Sequence, residues 1–336
     1  MRLLVLGGTG FIGRAVVEAA LSAGHEVTTF NRGVSDTDVM GVQVIRGDRG
    51  DAESIAALVR SGPWSVVIDC SGYVPRNVLA VTRALEPVAG HLVFMSSVSA
   101  YAGWPVAPLD EASPLLEAPA DAGPDFGTDT EDGPTRYGYQ KAGCEAAVHE
   151  VFGPSRSTVL RPGVVLGPRE YVGRLVWWLN RVATGKRVIA PAPAERHIQP
   201  IDVRDLADFT LRCSELHLSR AFTIAGPVRQ TTFKDLIDAC RSVTGSSAEV
   251  SWVPPDILTR LGVRQWSELP LWRTADGVWK LDSTRAFDAG LSSRPIAGTA
   301  AATWSWMQLG GLVDGRERAS EIGLSPAHEQ ALLAVI

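Results

Sequence analysis

Tyr137 and Lys141 lie one helical turn apart in the stretch Tyr137-Gly138-Tyr139-Gln140-Lys141, so a helix there puts both side chains on one face. A phenol is neutral near pH 7. A neighbouring ammonium favours its phenolate and equips it to exchange a proton with an alcohol or carbonyl. Ser97, on the turn after the apolar run His91–Met95, offers a second donor to the same substrate oxygen. Together the three would polarise a carbonyl while a hydride arrives from a cofactor. A Tyr-x-x-x-Lys pair alone recurs by chance on helix surfaces, with Tyr139 a packing neighbour. Its weight here comes from the order of the motifs around it.

The hydride source is read from the start of the chain. Val5-Leu6-Gly7-Gly8-Thr9-Gly10-Phe11-Ile12-Gly13 leaves an expected strand and opens an expected helix. Gly7 suits the tight turn, Gly10 admits a pyrophosphate to the backbone, and Gly13 lets helix and strand pack closely. Thr9, Phe11 and Ile12 complete this candidate cofactor loop. An NAD site places a carboxylate at the end of the second strand for the adenosine ribose, but Asn31-Arg32 stands there. Arg32 either pairs with the 2′-phosphate of NADP(H), stacks on adenine, or is a plain loop cation. The first is the expectation, with NADP(H) ahead of NAD. Asp48 is placed for an adenine contact. Cys70-Ser71-Gly72 leaves the carboxyl end of a strand, where open α/β sheets take ligands. Each of these also reads as an ordinary turn.

These residues need a scaffold, and the apolar pattern supplies one. Strands are expected at 2–6, 26–30, 42–45, 65–69, 91–95, 157–160 and 221–224. Helices are expected near 11–23, 51–61, 75–89, 137–152, 172–184 and 203–216. Val/Ile-rich runs alternating with helices specify an α/β, doubly wound parallel sheet covered on both faces. The Rossmann-type domain is expected to comprise 1–165 and 196–225, and a smaller, partly discontinuous C-terminal substrate lobe 166–195 and 226–336. The segment 103–135 carries acidic residues but no Lys or Arg. It is read as a long loop, either a lid or a solvated insertion. The Trp-rich C-terminal region is read as core and interface packing.

Composition narrows the function classes. With 45% hydrophobic and 21% charged residues and a formal net charge of −5, the chain is an ordinary globular protein without a general nucleic-acid surface. Cys70, Cys144, Cys213 and Cys240 show no disulfide or metal spacing, and the six histidines show no HExxH, so no metal is expected. No apolar run approaches membrane-spanning length, which points to a cytoplasmic protein.

The chain resembles the extended short-chain dehydrogenase/reductase family, which includes nucleotide-sugar epimerases and dehydratases. The resemblance rests on Gly7 to Gly13, on Ser96-Ser97-Val98-Ser99-Ala100-Tyr101, on Tyr137 and Lys141, on Leu160-Arg161-Pro162-Gly163-Val164, and on Ile201-Asp202-Val203-Arg204-Asp205. It implies that Ser97, Tyr137 and Lys141 are catalytic and that Tyr137 and Lys141 also touch the cofactor, Lys141 binding the nicotinamide ribose. It also implies that Pro162, Gly163 and Val164 meet the nicotinamide through their backbone, and that a homodimer forms through helices near 75–89 and 137–152. Two departures stand out. Asn31-Arg32 replaces the acidic residue of NAD-using epimerases, and Val98-Ser99 replaces the Asp-Glu pair of dehydratases. The arginine that meets a nucleotide diphosphate is displaced, with Ile198 at its place and Arg196 the nearest candidate, or else an exposed loop charge.

The expected function is an NAD(P)-dependent oxidoreductase acting on an alcohol or carbonyl of a small polar metabolite. An epimerase that retains NAD is the first alternative, and a non-catalytic dinucleotide-sensing or RNA-associated protein the second.

Overall fold

The computed structural model describes residues 1–34, 37–131, 133–313 and 320–334. The chain divides into two compact units. The first comprises Met1–Gly163, Val203–Ala225 and Lys280–Ser292. The second comprises Val164–Asp202, Gly226–Trp279 and Ser293–Ile336.

The first unit is built on β1 (Arg2–Leu6), β2 (Glu26–Asn31), β3 (Gln43–Arg46), β4 (Trp64–Asp69), β5 (Ala89–Met95), β6 (Ser157–Pro162) and a seventh strand, Ala221–Ile224. All pairings are parallel, in the spatial order β3-β2-β1-β4-β5-β6 with Ala221–Ile224 outermost. Strand order therefore reverses between β1 and β4, the point at which open α/β sheets bind ligands beyond their carboxyl ends. Leu3 to Leu6 are at most 1% exposed, as a strand covered on both faces requires. Helices α1 (Phe11–Ser22) and α6 (Val203–Leu216) pack together, as do α3 (Pro75–Leu85) and α4 (Arg136–Phe152). Leu4, Leu6, Leu92 and Phe94 project from alternate strand positions into one core with Val78, Leu85, Val148 and Phe152. The helix α2 (Ala52–Ser61) is capped by Asp51, whose carboxylate accepts the Ser54 N–H at 2.8 Å.

The unit limits differ from the expected ones in three places, the smallest being residues 164–165, which fall in the second unit. Residues 280–292 belong to the first unit because they cover its edge. Leu281 bridges Leu109, and the Ser283 hydroxyl accepts the Ala225 N–H at 2.9 Å. Beside it, the Glu111 carboxylate accepts the Thr223 N–H at 2.8 Å, so side chains satisfy groups on this outer strand that would otherwise recruit another chain. Residues 196–202 belong to the second unit, where Ile198 pairs with Thr231 and the Gln199 side chain donates to the Gly226 carbonyl.

In the described part of 103–135 there is no helix and no strand beyond isolated bridges. It is nonetheless pinned to the unit rather than free in solvent. Leu109, Leu116 and Ala122 are buried, and the Gln140 amide donates to the carbonyls of Gly123 and Phe126, each at 2.8 Å.

In the second unit α5 (Arg174–Thr184), α7 (Phe233–Thr244) and the helix Ile296–Gln308 pack on one another. The strands Arg187–Pro191 and Glu249–Val253 pair in parallel. Trp178 is fully buried, with its ring edge-on to Phe233 and its indole N–H donating to the Pro270 carbonyl. In the Trp-rich C-terminal region Trp272 and Trp279 are likewise buried, in the packing role expected of them. Among the described residues no helix is long and apolar enough to cross a membrane.

Candidate active site

Residues from the carboxyl ends of β1, β4 and β5 and from the first turns of α4 assemble within the first unit. Thr135 caps α4 by accepting the Gly138 N–H. Gly138 is what lets that turn approach the sheet: a Cβ there would lie 2.2 Å from the Ser99 carbonyl oxygen. No other residue type fits so close to the turn that carries Ser97. Gly138 is not among the residues the sequence singles out, although a glycine between Tyr137 and Tyr139 in the first turn of a helix is itself a signal of close approach.

Ser97 is buried, and its hydroxyl accepts the Ser99 N–H at 3.1 Å. Lys141 is also buried and donates to the carbonyls of Gly72 and Met95, each at 2.8 Å. One of the three donors of its ammonium thereby remains for another acceptor. The ammonium sits 4.7 Å from the ring centre of Tyr73, 5.2 Å from that of Phe94 and 5.8 Å from that of Tyr137. Burial lowers the Lys141 pKa from its ordinary value. Tyr137 is 43% exposed, its ring 6.4 Å from that of Tyr73, so its phenol is reachable from solvent. Tyr73 was not singled out in the sequence, because nothing local distinguishes it from any exposed loop tyrosine.

A buried polar network holds the Ser97 turn to α4. The Ser96 hydroxyl donates to Glu145, one helical turn beyond Lys141. Glu145 in turn pairs with Arg161 of β6, at 2.7 Å from Nη2 to Oε2. Arg161 also donates to the Tyr101 hydroxyl at 3.1 Å, and Tyr101 shares a hydrogen bond of 2.6 Å with Thr223. Burial alone would disfavour the Arg161 charge, but the Glu145 carboxylate outweighs it and raises the arginine pKa above its usual value.

The candidate cofactor loop has the close contacts that a pyrophosphate-binding turn needs. Gly7 has a φ of +85°, and a Cβ on Gly13 would lie 2.1 Å from the Gly7 carbonyl oxygen, so α1 springs directly from the turn. Around Gly10, a Cβ would meet nothing within 4 Å, which leaves the α1 N-terminus open to an approaching group. No acidic residue occupies the first turn of α1. Thr9 and Phe11 are buried and Ile12 half-buried beside it. This arrangement fits a pyrophosphate over the helix N-terminus. Replacing Gly13 by alanine forces backbone apart from backbone. The expected outcome is a loss of about 1–3 kcal/mol of stability together with dinucleotide affinity, checked by thermal melting and calorimetric titration.

At the end of β2, Asn31 is committed. Its side-chain Oδ1 accepts the Gly33 N–H, its side-chain amide donates to Asp38, and Arg46 bonds to both Asn31 and Asp38. The Arg46 hydrogen bond holds the Asp38 carboxyl below its usual pKa. A carboxylate therefore does stand beside Asn31, delivered by a loop rather than by the strand, where sequence reading looked for it. Arg32 is two-thirds exposed and lies 3.9 Å from Asp48, which itself accepts the Gly50 N–H in a tight turn.

At the end of β4, Ser71 abuts the Gly7 turn: a Cβ on Gly7 would lie 2.6 Å from the Ser71 Cβ. Gly72 supplies the carbonyl that holds Lys141. Burial pushes the Cys70 thiol up to about 12, which disfavours its thiolate. Pro162 ends β6. The Gly163 N–H donates to the Ile224 carbonyl at 2.8 Å, which ties that amide to the outer strand. Val164 and Arg196 belong to the second unit. There Arg196 is half-buried, its pKa lowered by burial, and it reaches the Arg273 carbonyl at 3.4 Å.

The sequence profile of the NAD dependent epimerase/dehydratase family matches residues 3–225. The chain belongs to that family. Its members are NAD(P)-dependent dehydrogenases, reductases and epimerases of the extended short-chain type. It is 25% identical to the chloroplast stem-loop binding protein of 41 kDa b of Arabidopsis thaliana over 260 residues, which is 73% of this chain and 63% of that protein. It is 32% identical to the 2-alkyl-3-oxoalkanoate reductase of Stenotrophomonas maltophilia over 187 residues, 50% of this chain and 52% of that one. The chain thus spans about half to two-thirds of these curated relatives. Among solved structures, the Bordetella bronchiseptica enzyme WbmG, in complex with NAD and UDP, superposes with a TM-score of 0.67 at 18% identity, covering 94% of this chain and 97% of that one. At that identity the likeness speaks for the fold.

Proposed function

We propose that the protein is an NAD(P)-dependent oxidoreductase that moves a hydride between a nicotinamide and an alcohol or carbonyl of a small polar metabolite. The observation that carries this reading is the buried Lys141 ammonium, fixed by two carbonyls beside the accessible Tyr137 phenol. The nicotinamide, when bound, supplies or accepts the hydride. Tyr137 gives a proton to the nascent alkoxide or takes one from the alcohol, the Lys141 charge favouring its phenolate. Ser97 donates to the same oxygen. The remaining donor of Lys141 serves a ribose hydroxyl and so ties cofactor position to proton transfer.

The test is consumption of nicotinamide. Purified protein is screened with NADPH and NADH against aldehydes and ketones of small polar metabolites, and stoichiometric oxidation is the expected result. Bound NAD that resists stripping and is never consumed would point to an epimerase instead, as the family's breadth allows. Absence of any dinucleotide binding would remove both.

NADP(H) is the proposed preference, through Arg32. Its exposed guanidinium at the end of β2 suits a 2′-phosphate, with Arg46 next to it partly neutralised by Asp38. In calorimetric titrations Arg32→Ala is expected to weaken NADPH by about tenfold and to leave NADH unchanged. Equal losses for both would assign Arg32 to adenine stacking.

A further inference from the structure

Arg49 follows β3 and reaches back over the carboxyl ends of the strands. Its Nη2 donates to the Asp69 carboxylate at 2.8 Å and to the Ser71 hydroxyl at 3.2 Å. Asp69 is 2% exposed and also accepts the Ser71 N–H at 2.9 Å, so guanidinium, carboxylate and Ser71 form one clamp against the Gly7 turn. The second terminal nitrogen, Nη1, is buried and has no hydrogen-bond partner among the described residues. A buried donor left unpaired is costly, and native structures rarely retain one without a ligand or water to meet it. The Asp69 pair neutralises the charge but fixes the fork in one orientation, with one arm spent and the other directed elsewhere.

We infer that Arg49 is a ligand for the adenylate half of the dinucleotide, its Nη1 donating to an acceptor there while Asp69 and Ser71 hold the guanidinium in place. This rests on the dinucleotide reading of the site and adds a residue to it. The adenylate half is indicated by position. Arg49 enters from the β3 side of the strand-order reversal, whereas Ser97, Tyr137 and Lys141, which serve the nicotinamide end, enter from β5 and α4. The two ends of the cofactor would thus be read by two cations, the buried Lys141 held by Gly72 and Met95, and the partly buried Arg49 held by Asp69 and Ser71.

The experiment is calorimetric titration of wild type, Arg49→Met and the double variant Arg49→Met/Asp69→Asn with AMP, with NADPH and NADH, and with reduced nicotinamide mononucleotide. The double variant removes the buried carboxylate that the single one leaves unpaired, so one folded protein without the guanidinium is available. Loss of a charge-assisted hydrogen bond is expected to weaken AMP and both dinucleotides about ten- to a hundredfold in either variant, without effect on the mononucleotide. AMP binding unchanged in a folded variant, with the wild type binding normally, overturns the inference and leaves Arg49 as a structural partner of Asp69. A wild type that binds neither AMP nor dinucleotide overturns the cofactor reading, and this one with it.

Discussion

Tyr137→Phe is expected to lower turnover by about two to four orders of magnitude, on whichever carbonyl substrate the nicotinamide screen yields. The change removes one hydroxyl from a side chain that is 43% exposed and keeps its ring, so no cavity opens. The melting temperature and the dinucleotide affinity should therefore stay near those of the wild type, and the loss should appear in kcat. That combination separates proton transfer from folding and from binding. Lys141 is a poorer probe, because its removal leaves the Gly72 and Met95 carbonyls without their buried donor. If Tyr137→Phe retained full turnover, the acid/base assignment would be wrong, and a protein that binds dinucleotide without this chemistry would become the better reading.

The second large effect concerns stability. Glu145 is 1% exposed and is the counter-charge of the buried Arg161 side chain. Glu145→Ala strands that guanidinium and deprives the Ser96 hydroxyl of its acceptor. Breaking a buried ion pair from one side costs about 3–5 kcal/mol. Against a total stability on the order of 5–15 kcal/mol, that is a large fraction. The double change Glu145→Met/Arg161→Met removes both charges and should recover much of the loss, since apolar groups of similar size often replace a buried pair without penalty. Denaturant midpoints followed by fluorescence measure both. A single variant as stable as the wild type would mean that water or a rearranged side chain reaches Arg161. Because Ser96 adjoins Ser97, the stable double variant also reports on positioning. A lower kcat at unchanged dinucleotide affinity would identify Glu145 as a positioning residue for the Ser97 turn.

Much of this protein is written in short-range pattern. Gly7 to Gly13 announce a strand–turn–helix because the requirements for turn, approach and packing fall within seven consecutive residues. Tyr137 and Lys141 announce a shared helix face because four residues make about one turn. The alternation of apolar runs with helical stretches fixes the parallel sheet, since both relations are local and periodic. The close approach at Gly138, the Glu145–Arg161 pair, the Arg49–Asp69–Ser71 clamp and the carboxylate of Asp38 beside Asn31 follow no such period. Their partners lie 7 to 39 residues apart and meet only when strands and helices stack. The same holds for residues 280–292, which join the first unit because an edge strand must be covered, a demand no local pattern encodes. Sequence singled out the side chains proposed to carry the chemistry. Tertiary structure decided which of them are buried and paired, because burial is a property of the packed chain and it is burial that makes a polar partner obligatory.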